Sequence, residues 1–175
     1  MRVKLFSHLM HQTVKLAEKA PFLIPLIHKG NDVVVSLAYN GYKKNGVKSF
    51  EKFWIPAFYQ YGQVRAQHIV KKMNIDTNSA ASIGTYHDYE DPIFGVKGHW
   101  EQDSEGNPVR VETECIVCDQ LNKVSKGAGC PDFCRHVVNA MEMGTGKAMN
   151  DTYVVEIGSL LSEGDETCRF THKIL

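Results

Sequence analysis

The sequence predicts an α+β fold, with a helical N-terminal half packed on an antiparallel sheet of two hairpins and an intervening helix (β-β-α-β-β). Three observations predict it. Up to about residue 92, apolar residues recur at helical steps of three and four. Beyond Pro92 the period changes to two, which suits strands with one covered face. Two turn-rich runs, DSEGNP and SEGDE, each join a pair of alternating segments, which is the pattern of a hairpin.

Element by element, Leu5, Leu9, Val14 and Ala17 place a helix over residues 4–18. Asp32 is a helix cap for VVVSLAYNGYKK, which stops at Asn45-Gly46. Ser49 caps a longer helix with Pro56 in its first turn or at a kink. On that helix Trp54, Phe58, Tyr61, Arg65 and His68 share one face. A shorter helix runs from about Ser79 to Tyr89 and ends before Pro92, because the residue preceding a proline avoids the helical region. FGVKGHWEQ and VRVETEC form the first hairpin, with Val109, Val111, Thr113 and Cys115 together on one face. A helix opened by Cys130-Pro131-Asp132 follows and closes near Gly144. TYVVEIGSLL and TCRFTHKIL form the second hairpin, with Cys168, Phe170, His172 and Ile174 on one face. No linker separates the halves. Residues 1–175 therefore read as one domain, with 1–92 mainly helical and 93–175 forming the β-β-α-β-β part.

Composition limits the function classes. Lys plus Arg and Asp plus Glu number 20 each among 175 residues, so no basic surplus favours nucleic acid or an anionic membrane. The first residues lack a signal-peptide layout, and PFLIPLI is too short to span a bilayer, so a cytoplasmic location is expected. Thiols stay reduced there, and 5 cysteines, an odd number, do not close a disulfide framework. The partners expected are a small-molecule ligand or substrate and, for self-association, a homodimer, with no nucleic acid and no membrane.

Four of the cysteines fall in ETECIVCDQLNKVSKGAGCPDFCRH. Cys115 ends a strand, Cys118 follows at its exit, Cys130 lies at a helix start and Cys134 one turn on. Cys168 faces inward on the last strand. Three separate segments thus bring thiols toward one place. A metal reading gives tetrahedral zinc to Cys115, Cys118, Cys130 and Cys134, since Cys-x2-Cys matches zinc spacing. A thiol reading singles out Cys130, because a helix N-terminus stabilises thiolate. A packing reading treats them all as small buried hydrophobes. Elsewhere the chemistry is sparse. GTGK at 144–147 lacks a full phosphate-loop pattern and reads as a helix stop and turn. HDYEDP at 87–92 offers oxygen ligands for a cation, but a solvated helix end is the preferred reading. Trp54, Phe58, Tyr61 and His68 are candidate pocket residues on a stripe that also suits plain core.

VETEC, GCPDFCRHVVNAM and VVEIGSLLSEGDETCRFTHKI, together with the helix end AYNGYKKNG, resemble the L-2-amino-thiazoline-4-carboxylic acid hydrolase family. The closing pattern also resembles the 4-vinyl-reductase domain, a small-ligand-binding module akin to the TRAPP-type fold. The first resemblance implies hydrolysis of a C–N or C–S bond in a cyclic thioimidate-like carboxylate. Catalytic roles then fall to Cys130 and Cys134, with Arg135 or Arg169 meeting the substrate carboxylate. Zinc held by Cys115, Cys134 and Cys168 would keep a fourth position for water. The second resemblance maps zinc ligands to Cys134, Glu156 and Cys168, with Ser159 where a further cysteine is expected. It implies a sensor or binding module with a structural metal or none.

Overall fold

The computed structural model describes residues 1–175. The helical half comprises α1 (Arg2–Lys19), a 3-10 turn (Pro21–Leu23), α2 (Ile24–Asn45), α3 (Lys48–Glu51), α4 (Trp54–Met73), α5 (Ala80–Gly84) and α6 (Tyr86–Phe94). Then come β1 (Val96–Gln102), β2 (Pro108–Cys115) and α7 (Ile116–Ser125). A π-helical turn (Phe133–Val138) runs into α8 (Asn139–Met149), followed by β3 (Tyr153–Ile157), a 3-10 turn (Leu161–Glu163) and β4 (Cys168–Ile174). The sheet is antiparallel in the order β1-β2-β4-β3, so the α+β class and both hairpins are as expected.

Several boundaries differ from the sequence reading. Helix α2 begins eight positions before Asp32, with Pro25 in its first turn, where a missing N–H costs nothing. Ser49 lies within α3, and its Oγ donates to the Gly46 carbonyl at 2.8 Å instead of capping α4. Helix α6 continues through Pro92. It is only nine residues long and Pro92 sits in its last turn, so little of the helix ladder is lost. Gly95 then ends it at φ 69°, a conformation that favours glycine. Helix α7 was not foreseen.

The expected helix stop at GTGK does not occur, because α8 runs on to Met149. Its glycines serve packing. A Cβ on Gly144 would lie 2.2 Å from the Tyr59 carbonyl oxygen, and one on Gly62 would lie 2.2 Å from that of Met141. Helices α4 and α8 therefore cross backbone to backbone. Between the helices and the sheet lies one core containing Phe50, Phe58, Ile69, Tyr86, Leu121, Phe133, Leu160 and Phe170. Each such side chain gains about 1.5–3 kcal/mol on burial, before the cost of ordering it.

One irregularity decides what the sheet presents to the helices. Lys97 pairs with Glu114 but Gly98 pairs with Glu112, so Thr113 is the extra residue of a β-bulge. The bulge shifts the phase of side-chain alternation. Cys115 consequently turns to the same cavity as Glu112, and not to the face of Val109 and Val111 as the simple period predicts. On the opposite side of the sheet, Arg169 pairs with Glu101 at 2.7 Å and Lys173 with Glu156 at 2.9 Å.

Candidate functional site

A cavity of about 100 Å³ lies between α2, α4, α6, the π turn and the sheet. Its upper wall is apolar and includes Val34, Val35, Phe58, Phe133, Leu160 and Phe170. Its other end is polar, with Arg65, His87, Glu90, Asp91, Glu112 and Glu142. Cys115, Cys118, Cys134 and Cys168 also line it. A second apolar cavity of about 220 Å³ lies along α1 and α2. The two share Met10, Asn31, Val34 and Phe94, so they adjoin across a common wall.

The polar end is built by four elements, with Glu142 contributed by α8. On α6, His87, Glu90 and Asp91 sit three and four residues apart and turn inward together. On β2, Arg110 and Glu112 alternate onto the helix-facing side. Arg65 of α4 is buried between the rings of Tyr61 and Tyr86, with its guanidinium carbon 5.1 and 5.3 Å from their centroids. It donates to Glu90, to Thr145 Oγ1 at 2.8 Å and to Glu142 at 3.4 Å. Arg110 donates to Asp91 Oδ2 from Nη2 at 2.7 Å and from Nε at 3.1 Å. The remaining Asp91 oxygen lies 3.2 Å from His87 Nδ1.

These contacts set the protonation of the site. Burial opposes charge on His87, but Asp91, Glu142 and Glu112 outweigh it and carry its pKa up to about 9. Burial lifts Glu112 to about 8, helped by the charge of Asp91. Glu90 rises to about 7, again chiefly through burial. Burial pushes Cys134 and Cys168 up to about 12 and Cys115 well above the ordinary thiol range. The thiols facing the cavity are thus overwhelmingly protonated at neutral pH.

The residues expected at a site are distributed unevenly. Cys115, Cys134 and Cys168 do line one cavity, and Cys134 lies in the π turn, an irregularity often met at functional sites. Their sulfurs do not form a group of ligand atoms all within 4.8 Å of one another; His87, Asp91 and Glu112 do. Cys130 is buried beneath the helix start and does not line the cavity, and burial raises its pKa. Phe58 lines the cavity, whereas Trp54, Tyr61 and His68 do not. Trp54 packs on Phe6 and Phe53. Tyr61 donates to Glu90 at 3.3 Å, and His68 lies 3.2 Å from both Glu18 and the Tyr89 hydroxyl. Arg169 and Glu156 sit on the far side of the sheet, paired with other side chains. Arg135 is held by Glu163 at 2.5 Å on the surface.

Of the polar end, the sequence offers only HDYEDP as oxygen ligands, behind the preferred reading of a solvated helix end. HDYEDP is not a solvated helix end, because His87, Glu90 and Asp91 are all buried. The signal was the spacing of His87, Glu90 and Asp91 along one helix face, together with Arg110 and Glu112 two apart on a strand that also carries buried valines.

No family model matches the chain, and no curated protein matches it. Among solved structures, it is similar to subunit 3 of a trafficking protein particle complex from Naegleria fowleri, described as covalently bound to palmitic acid. The TM-score is 0.62 at 10% sequence identity, over 89% of this chain and 96% of that one. The chain therefore has a fold like that of this TRAPP subunit.

Proposed function

We propose that the chain is a binding module for a small amphipathic molecule. The observation that carries this reading is the segregation of the cavity: 17 of its 25 lining residues are hydrophobic, and the charged ones are gathered at one end. Free space of about 100 Å³ accepts a short alkyl group or small ring. A longer tail extends past Met10 and Val34 into the neighbouring cavity. Carboxyl groups outnumber guanidiniums at the polar end, so the group that meets it carries hydrogen-bond donors. The palmitate of the structurally similar TRAPP subunit supports the same general use of the fold.

The reading is tested by titrating the full chain with straight-chain primary amines of increasing length, following thermal stability. Saturable stabilisation that grows with chain length is the expected result, since a ligand that binds only the folded state stabilises it. Amines that leave the melting temperature unchanged at every length would overturn the reading.

A second reading, hydrolysis of a thiazoline-like ring, is favoured by one observation: Cys115, Cys134 and Cys168 face the same cavity from three segments. It requires one of these thiols, or a metal held by them, to act on a small cyclic carboxylate. Their raised pKa values weigh against a thiolate nucleophile in the unliganded protein. Turnover of 2-amino-thiazoline-4-carboxylate that Cys134→Ser abolishes is the result this reading requires; no turnover by the wild type removes it.

The exposed apolar residues of α1 and α2 suggest self-association. Leu5, Leu9 and Leu16 form one seam, and Leu26, Val33 and Leu37 another, all more than half exposed. A homodimer that covers these seams is expected to dissociate on Leu9→Glu with Leu37→Glu, as read by light scattering. A wild-type chain that is monomeric at high concentration contradicts it.

A further inference from the structure

We propose that His87, Asp91 and Glu112 form a binding site for a divalent first-row transition-metal ion at the polar end of the cavity. One imidazole and two carboxylates suit ions such as Zn²⁺, Mn²⁺ or Co²⁺ better than a thiolate-seeking ion. Their ligand atoms all lie within 4.8 Å of one another. His87 Nδ1 is 3.2 Å from Asp91 Oδ1 and 3.8 Å from Glu112 Oε1. Ligands bonded to zinc at about 2.1 Å in a tetrahedral arrangement stand about 3.4 Å apart. Small side-chain rotations therefore suffice.

One further observation points to a cation. The Glu112 side chain is about nine-tenths buried, and its nearest positive partner is His87, beyond hydrogen-bond distance. A carboxylate so placed is costly unless something meets it.

The surroundings suit a metal ligand set. Arg110 holds the second Asp91 oxygen at 2.7 Å, fixing the carboxylate. The other ring nitrogen of His87 is buried without a hydrogen-bond partner and faces Glu142 Oε2 at 4.0 Å. Ligating histidines commonly orient themselves by donating that second N–H to a carboxylate. All three ligands stand on a helix and a strand, and they line the cavity, so an open position on the ion would face a bound molecule.

The test uses the full chain, stripped with EDTA and titrated with Zn²⁺, Mn²⁺ and Co²⁺ without any organic ligand. The expected result is one ion per chain and a Co²⁺ absorption spectrum lacking a sulfur charge-transfer band. Glu112→Gln and His87→Gln should each weaken binding by about 100-fold or more, whereas Cys134→Ser should not. On the wild type, a hyperfine-shifted imidazole N–H resonance in the Co²⁺ form reads the histidine ligand even where a variant fails to fold. No stoichiometric ion, a sulfur band, a missing imidazole signal or unchanged affinity in folded Glu112→Gln would overturn the site. Because no organic ligand enters the titration, failure here leaves the amphipathic-ligand reading standing, and the amine titration decides that one separately.

Discussion

His87 Nδ1 and Glu112 Oε1 approach to 3.8 Å across the junction between α6 and β2, at the end of a cavity that is otherwise apolar. Helix and sheet are thus joined there by buried charge and not by hydrocarbon. Such junctions are poor sources of stability, because desolvation offsets attraction, but they specify geometry and hold reactive or binding groups in place.

Arg65→Met is expected to destabilise the chain by about 3–5 kcal/mol, because it leaves Glu90 and Glu142 buried without their cation. Arg169→Ala removes an exposed pair and is expected to cost less than about 1 kcal/mol. Urea unfolding of both variants checks the contrast. Equal losses would mean that the buried network does not bear on folding.

The hairpins, the helical first half and the inward face of β4 were legible because the hydrophobic period alone specifies them. What was illegible is what departs from period. The bulge at Thr113 is a single extra residue with no composition signal of its own, yet it decides that Cys115 meets Glu112. Gly144 looks like a helix stop until the closeness of α4 and α8 is known. His87, Glu90 and Asp91 look solvated because polarity usually means exposure, and only the opposing Arg65 and Arg110 make their burial tolerable.

Stability is expected to fall as pH drops from about 6.5 to about 4 through His11. Burial, with the nearby His68 and Lys15, lowers its pKa to about 4. The unfolded chain takes up a proton below about 6.5, which the folded chain refuses until about 4. The contribution of His11 is therefore whole above pH 6.5 and lost progressively below it. Melting temperatures between pH 7 and 4 check this: His11→Gln should fall less steeply than the wild type, and an identical slope would contradict the assignment.

The five thiols are expected to react slowly with a disulfide reagent at pH 8 in the folded chain and rapidly once unfolded. Burial holds Cys134 and Cys168 near 12, so reaction waits on opening of the core. A single thiol reacting at the unfolded rate in the native protein would favour the nucleophile reading.

Val34 belongs to the wall shared by the two cavities. Val34→Trp is expected to thicken that wall, so that short amines still stabilise the chain while the gain with chain length is lost. Calorimetric affinities for a butyl-to-decyl series check it. An unchanged dependence on length would place the tail elsewhere.

The most direct measurement is the position of an iodine-labelled alkylamine in crystals of the metal-stripped full chain. The expected result is an anomalous peak among Val34, Phe58 and Phe133, with the amine directed at His87, Asp91 and Glu112. Full occupancy at a surface site, with the cavity closed by repacked side chains, would contradict it.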